Sequence, residues 1–109
     1  MSKIFVVIAI AATIFLTMAT SAAADVSDGN VIFQANCAGC HVNGGNIIRR
    51  GKNLKQKALQ RNKMDDLSAI VSLVTKGKNN MPAYEDRLSS QEIETVAAYV
   101  LERAKQGWH

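Results

Sequence analysis

The chain has 109 residues, of which 13 are Lys or Arg and 9 are Asp or Glu, so its formal net charge is +4. This length allows one small domain and excludes a larger multidomain protein. A small domain of this kind struggles to stabilise itself by burying its own side chains alone.

The first 24 residues have the pattern of a secretory signal peptide. Lys3 precedes an apolar run at residues 4–18, which is too short to span a bilayer comfortably, and Ala22-Ala23-Ala24 offers an A-x-A cleavage site. An uncleaved membrane anchor is the alternative. Removing residues 1–24 from the 109-residue chain leaves a single domain of 85 residues, 25–109. We therefore expect an exported protein.

Residues 37–41 read Cys-Ala-Gly-Cys-His, which is the C-x-x-C-H attachment motif of a c-type haem. Two thiols at this spacing reach the two vinyl groups on one porphyrin edge, and the next histidine supplies a nitrogen to the iron. A redox dithiol would need a βαβ context, and a zinc site would need four ligands. A plain disulfide is the remaining alternative. We predict one covalently bound haem c, attached at Cys37 and Cys40, with His41 as an axial iron ligand.

Helical patterns and no strand patterns surround this motif. A first helix leads into it, with Ser27 or Asp28 as the predicted N-cap, and carries small or apolar residues at helical spacing, namely Val26, Gly29 and Phe33. The Asn and Gly residues at 43–46 predict a turn. A short helix is then indicated by Leu54, Ala58 and Leu59.

Two clearer helices follow in the second half of the chain. One begins at Asp65 or Asp66 and ends at Gly77, a natural C-cap. Residues 78–88 predict a loop that holds the only proline. A capping box at residues 89–92 opens the last helix, whose predicted apolar face consists of Ile93, Val96, Ala97, Val100, Leu101 and Ala104. The expected fold is all-α, with about four helices around one haem.

The second axial ligand has four kinds of candidate: Met64, Met81, His109 and the lysines. Met81 is preferred because it lies in a polar loop, and Pro82 behind it cannot continue a helix. Met64 precedes a predicted helix start, where an apolar residue more often packs as a staple. Ligation by His41 and Met81 would be the pattern of cytochromes c.

The chain resembles class I cytochromes c, and within them the cytochrome c6 family of cyanobacteria and algae. The resemblance is carried by the haem motif, by residues 74–84 and 96–101, and by Trp108. It implies a small all-α fold in which Gly29 crosses the last helix near Val96 and Tyr99. It also implies a monomeric, soluble one-electron carrier that is not an enzyme.

The resemblance also implies redox partners and a cellular location. These are a cytochrome f-like donor in the cytochrome b6f complex, an acceptor such as photosystem I or a terminal oxidase, and the thylakoid lumen or a bacterial periplasm. We expect no nucleic-acid partner and no stable membrane insertion. The alternative function is a haem sensor or small-ligand-binding protein, in which a labile bond to Met81 opens the iron.

Two departures from the family pattern suggest a divergent paralogue. Leu73 stands where many relatives carry glutamine near the haem, and relatives with an aliphatic residue there are associated with a lower reduction potential. Burial alone would act in the opposite direction, because an apolar neighbour disfavours the ferric charge. Arg49-Arg50-Gly51 stands where relatives often have an apolar residue, a proline and an acid.

Residues 49–63 form a basic segment without any acid. Its seven cations are Arg49, Arg50, Lys52, Lys55, Lys57, Arg61 and Lys63. A charge run of this kind is either a solvated surface or a device that steers the protein toward acidic docking faces of membrane redox complexes.

Overall fold

The computed structural model describes residues 26–109. Within that range the chain forms four α-helices joined by loops and two short 3₁₀ turns, and the helices are α1 (Val26–Asn36), α2 (Gln56–Arg61), α3 (Leu67–Lys76) and α4 (Ser90–Lys105). The expected all-α fold with four helices is confirmed. The predicted signal peptide lies outside the described residues. None of the described helices is long and apolar enough to cross a membrane.

The ends of α3 and α4 follow the predicted capping chemistry. The Asp66 side chain accepts a hydrogen bond from the Ala69 amide (3.2 Å), and Gly77 ends α3 with a φ of 71°. Hydrogen bonds from Ser68 and from the Ala69 amide lower the pKa of Asp66. At α4, the capping box is complete, because the Ser89 hydroxyl and the Glu92 carboxylate each accept a bond from the other residue's amide.

Two details of the helix prediction are wrong. Ser27 and Asp28 are themselves helical residues of α1 (Val26–Asn36), so neither is its N-cap. Helix α2 begins at Gln56, which leaves Leu54 in the preceding loop, where its carbonyl is needed by a tertiary hydrogen bond. On α4, Leu101 lies on the predicted apolar face and packs half-buried against the core.

Helix α1 crosses α4 at Gly29. A Cβ atom built on Gly29 would lie 2.5 Å from the Tyr99 Cβ and 3.2 Å from the Thr95 carbonyl oxygen, so no larger residue fits without movement of a helix. The Tyr99 hydroxyl donates to the Asn30 side-chain oxygen (3.0 Å) at the same crossing. The predicted approach of α1 to Tyr99 is confirmed, and glycine is required because two helix surfaces touch there.

Three aromatic rings continue this contact toward the C-terminus. The Phe33 ring lies 5.5 Å from that of Tyr99 and 5.2 Å from that of Trp108, and Phe33 is only 1 % exposed. The indole nitrogen of Trp108 donates to the Leu54 carbonyl (3.0 Å). The end of the chain is thereby fixed to the loop that follows the haem motif.

We predict that Gly29→Ala lowers the free energy of unfolding by about 1–3 kcal/mol, because the added methyl group overpacks the α1–α4 crossing. In an open helix position the same change would stabilise the protein by about 1 kcal/mol, so the sign is diagnostic. Urea unfolding of the haem-containing protein measures the change in the free energy of unfolding. Gly51→Ala is the matched control, since no atom lies within 4 Å of a Cβ there. A Gly29→Ala variant as stable as the control would contradict the crossing geometry.

Candidate haem site

A cavity of about 370 Å³ opens between the helices, a volume typical of cofactor sites. All four helices contribute to its walls, mainly with apolar side chains such as Phe33, Leu59, Val74 and Val96. The four residues predicted to hold the haem lie in these walls together, namely Cys37, Cys40, His41 and Met81. His41 and Met81, which are 40 positions apart in the chain, therefore line the same cavity.

The haem motif follows α1 without interruption. The Cys37 amide donates to the Phe33 carbonyl (2.8 Å), and the His41 amide donates to the Cys37 carbonyl (2.9 Å), so the motif is a compact turn on the end of the helix. Burial raises the pKa of the Cys37 thiol to about 11. A redox dithiol needs a nucleophile with a lowered pKa, so this environment argues against that alternative.

The His41 ring is oriented by one backbone hydrogen bond. Its Nδ1 lies 2.8 Å from the Gly45 carbonyl oxygen. Because a carbonyl only accepts, Nδ1 carries the proton, and Nε2 keeps its lone pair for a metal. The turn that brings Gly45 back to the ring contains two left-handed residues, Asn43 (φ 50°) and Gly44 (φ 77°).

Met81 is held on a tight turn. The Lys78 amide donates to the Met81 carbonyl and the Met81 amide donates to the Lys78 carbonyl, both at 3.0 Å. This turn packs directly on the end of α3, where a Cβ atom on Gly77 would lie 2.6 Å from the Ala83 amide nitrogen and 2.7 Å from the Met81 carbonyl oxygen. Glycine at position 77 therefore serves both the helix end and the approach of the methionine loop.

Tyr84 connects this loop to the haem motif. Its hydroxyl donates to the Asn36 carbonyl (2.9 Å), one residue before Cys37, and its amide donates to the Val74 carbonyl (2.9 Å). The ring is buried, and this burial raises the pKa of Tyr84. The sequence analysis assigned Tyr84 no role of its own; its signal was its place at the end of residues 74–84, one of the stretches that carry the family resemblance.

Met64 also lies in the cavity wall, which makes it a structural alternative to Met81. It is half-buried against the core, and its amide donates to the Leu59 carbonyl (2.7 Å) at the end of α2. It is not held by a paired turn as Met81 is. His109, the other candidate outside the motif, is exposed and does not line the cavity.

The charges around the cavity suit a cofactor with carboxylates. Among residues 26–109, three cations line the walls, Arg49, Lys52 and Lys78, and no Asp or Glu does so. Within residues 26–109 no group of three or more His, Cys, Asp or Glu side chains is placed to hold a bare metal ion. A haem brings four nitrogens of its own and needs only axial ligands, two thiols and an apolar pocket. The residues present fit that group.

Comparison with known proteins agrees with this site. Residues 24–100 match a family model described as cytochrome c oxidase, cbb3-type, subunit III. A cytochrome c6-like protein of Nostoc sp. is 64 % identical over 81 residues, covering 74 % of this chain and 73 % of that protein. Cytochrome c6 of Aphanizomenon flos-aquae is 52 % identical over 85 residues, covering 78 % of this chain and 98 % of that protein.

A solved structure agrees as well. The crystal structure of cytochrome c6C from a Synechococcus species matches with a TM-score of 0.71 and 56 % identity, covering 72 % of this chain and 96 % of the other. The four-helix fold and the cavity with its C-x-x-C-H motif define a small class I cytochrome c. The chain belongs to the cytochrome c6 family. It is an electron carrier with one covalently bound haem c, and it is not an enzyme.

We predict that Leu73→Gln raises the reduction potential. Leu73 lines the cavity, as the resemblance implied. A carboxamide there can form hydrogen bonds and reorganise water beside the cofactor, an effect that we expect to exceed the simple burial term. Potentiometric titration of the two proteins measures the shift. An unchanged or lower potential in the variant would leave this position without a redox role.

Proposed function

We propose that the sulfur atoms of Cys37 and Cys40 form the thioethers to the haem, and that His41 and Met81 are its axial iron ligands. The bound haem supplies a one-electron Fe(II)/Fe(III) couple. The observation that carries this assignment is that all four side chains line one cavity and that His41 already presents its Nε2 with Nδ1 hydrogen-bonded.

Both axial ligands are held by backbone contacts, which favours electron transfer over the sensor alternative. His41 is fixed through Gly45, and Met81 is fixed through the paired turn with Lys78. Tyr84 ties that turn to the end of α1. A ligand held in this way changes position little between oxidation states. A labile sensor ligand would instead be expected on a loop with few tertiary contacts.

We predict that Met81→Ala keeps the haem attached, removes the ferric Met–iron charge-transfer band, lowers the potential and admits carbon monoxide to the reduced protein. Met64→Ala is the matched control, because it removes the other methionine in the cavity wall. Visible spectra of the two variants, recorded with and without carbon monoxide, measure the charge-transfer band and carbon monoxide binding. If Met64→Ala loses the band and Met81→Ala keeps it, the ligand assignment is wrong. If the reduced wild-type protein binds carbon monoxide readily, that result favours the haem-sensor alternative over electron transfer.

The proposed setting is photosynthetic electron transport. Residues 1–24 would direct export and be cleaved, and the carrier would work in a thylakoid lumen or a bacterial periplasm between membrane redox complexes. A cytochrome f-like donor and photosystem I or a terminal oxidase are the proposed partners. Support comes from the signal pattern and from membership of the cytochrome c6 family.

The basic segment 49–63 is proposed as the docking surface for an acidic partner. All seven of its cations are exposed. Among the described residues the one ion pair is Lys76 with Glu85 (3.3 Å), which lies outside the segment, so the segment's charge is not neutralised by neighbouring acids. Two exposed apolar residues, Ile47 and Ile48, directly precede it. A charged surface with an adjacent apolar area is suited to a transient protein–protein contact.

We predict that replacing Arg50, Lys55 and Lys57 together by glutamine slows electron transfer with an acidic redox partner at low salt. It should also flatten the dependence of that rate on ionic strength, with little change in potential. None of the three lines the cavity. Steering acts over roughly the Debye length, about 8 Å at physiological salt. Flash kinetics across a salt series measures the slope.

A matched pair of single variants separates position from net charge. Lys57→Gln and Lys105→Gln each remove one exposed lysine from a helix, but only the first lies in the basic segment. We expect the salt slope to change more in Lys57→Gln. Equal slopes for the two variants, or a triple variant that behaves like wild type, would make the segment an ordinary solvated surface.

A further inference from the structure

Tyr84 has all of its polar groups engaged at the end of residues 77–83, the methionine loop. Its amide donates to the Val74 carbonyl (2.9 Å), and its carbonyl accepts from the Leu88 amide (2.9 Å). Its hydroxyl donates to the Asn36 carbonyl (2.9 Å). The first two bonds are local to the second half of the chain, whereas the third joins the methionine loop to the end of α1.

The Asn36 carbonyl depends on this hydroxyl for a hydrogen bond. It is the last carbonyl of α1, and the final carbonyls of an α-helix have no partner within the helix. In the described part of the chain no backbone amide donates to it, because the amides of Cys40 and His41 both donate to Cys37 instead. Removing the Tyr84 hydroxyl would leave this carbonyl without its donor, which carries a cost in free energy.

A second side-chain contact across the methionine loop lies at the surface. Lys76 and Glu85 flank the loop and form an ion pair (3.3 Å), but their side chains are 72 % and 47 % exposed. An exposed pair of this kind contributes little and is screened by salt. The Tyr84 ring is only 8 % exposed, so its hydroxyl bond is better shielded from water than the ion pair. Tyr84 is therefore the stronger of the two attachments.

We propose that Tyr84 is a positioning residue for Met81, and that its hydroxyl bond to Asn36 limits how often the methionine loop opens. The inference rests on the proposed ligation of the haem iron by Met81. An added ligand can take the place of Met81 only in the fraction of molecules whose loop is open, so its apparent affinity reports that fraction. Because opening breaks the bond between Tyr84 and Asn36, loss of the hydroxyl increases the open fraction. The tyrosine thereby keeps the site closed to small molecules.

Imidazole binding to the ferric protein tests the proposal in Tyr84→Phe, which removes only the hydroxyl group. We expect the apparent affinity for imidazole to rise about fivefold relative to wild type, which corresponds to a hydrogen bond worth about 1 kcal/mol. Without imidazole the Met–iron charge-transfer band should remain, because Met81 itself is unchanged. Titration of the visible spectrum measures both.

Tyr99→Phe is the matched control. Tyr99 also donates its hydroxyl to α1, at the Asn30 side chain (3.0 Å), and its ring is buried, but it does not line the cavity. Each variant loses one hydrogen bond to α1, so urea unfolding should show similar losses in the free energy of unfolding. Only Tyr84→Phe should gain affinity for imidazole. Lys76→Gln, which breaks the exposed ion pair of the same loop, should change that affinity less than Tyr84→Phe does.

The same imidazole affinity in Tyr84→Phe and wild type would overturn the proposal, since the methionine loop would then open without breaking the Tyr84 bond. Equal gains in Tyr84→Phe and Tyr99→Phe would also overturn it, because the effect would then follow general stability. A gain in Lys76→Gln as large as that in Tyr84→Phe would do the same. Failure of the proposed ligation would be seen separately: wild-type ferric protein would lack the Met–iron band, or Met81→Ala would retain it.

Discussion

The close crossing of α1 and α4 at Gly29 is the contact on which the rest of this structure depends. Because Gly29 lets the helices touch, Phe33 reaches the rings of Tyr99 and Trp108 one helical turn later. Helix α1 then ends directly in the haem motif, so its packing sets the position of both cysteines and of His41. A shift of α1 on α4 would therefore move one wall of the cavity relative to the others.

The opposite wall depends on α1 as well. The Tyr84 hydroxyl reaches the Asn36 carbonyl, so the loop with Met81 is connected to the residue before the first cysteine. Gly77 allows the same loop to lie against the end of α3. The two proposed iron ligands come from distant parts of the chain, but they share one structural support. Loss of these contacts would displace both proposed ligands together. Keeping both ligands in place is what a carrier needs if its iron ligation is to stay the same in both oxidation states.

Local chemistry made much of this predictable from sequence. The C-x-x-C-H motif, the Asp66 and Ser89 caps and the Gly77 helix end each depend on a few adjacent residues, and the structure has the caps and helix end where expected. The role of Tyr84 depends on a hydrogen-bond partner that only the fold supplies. The start of α1 was misplaced because Ser27 and Asp28 have good capping chemistry in the sequence yet lie inside the helix. Local preference was overridden there by continuation of the helix.

We propose that the reduction potential and the encounter with partners depend on different residues near the cavity. Leu73 lines the cavity and would act on the energy of the ferric state, whereas the exposed charges of Lys55 and Lys57 would act on approach from solvent. Arg49 belongs to both groups by position, because it is exposed and also lines the cavity. A change at this residue would therefore alter driving force and association together. Consequently, measurements of docking should leave Arg49 intact and use Arg50, which carries the same charge and lies outside the cavity.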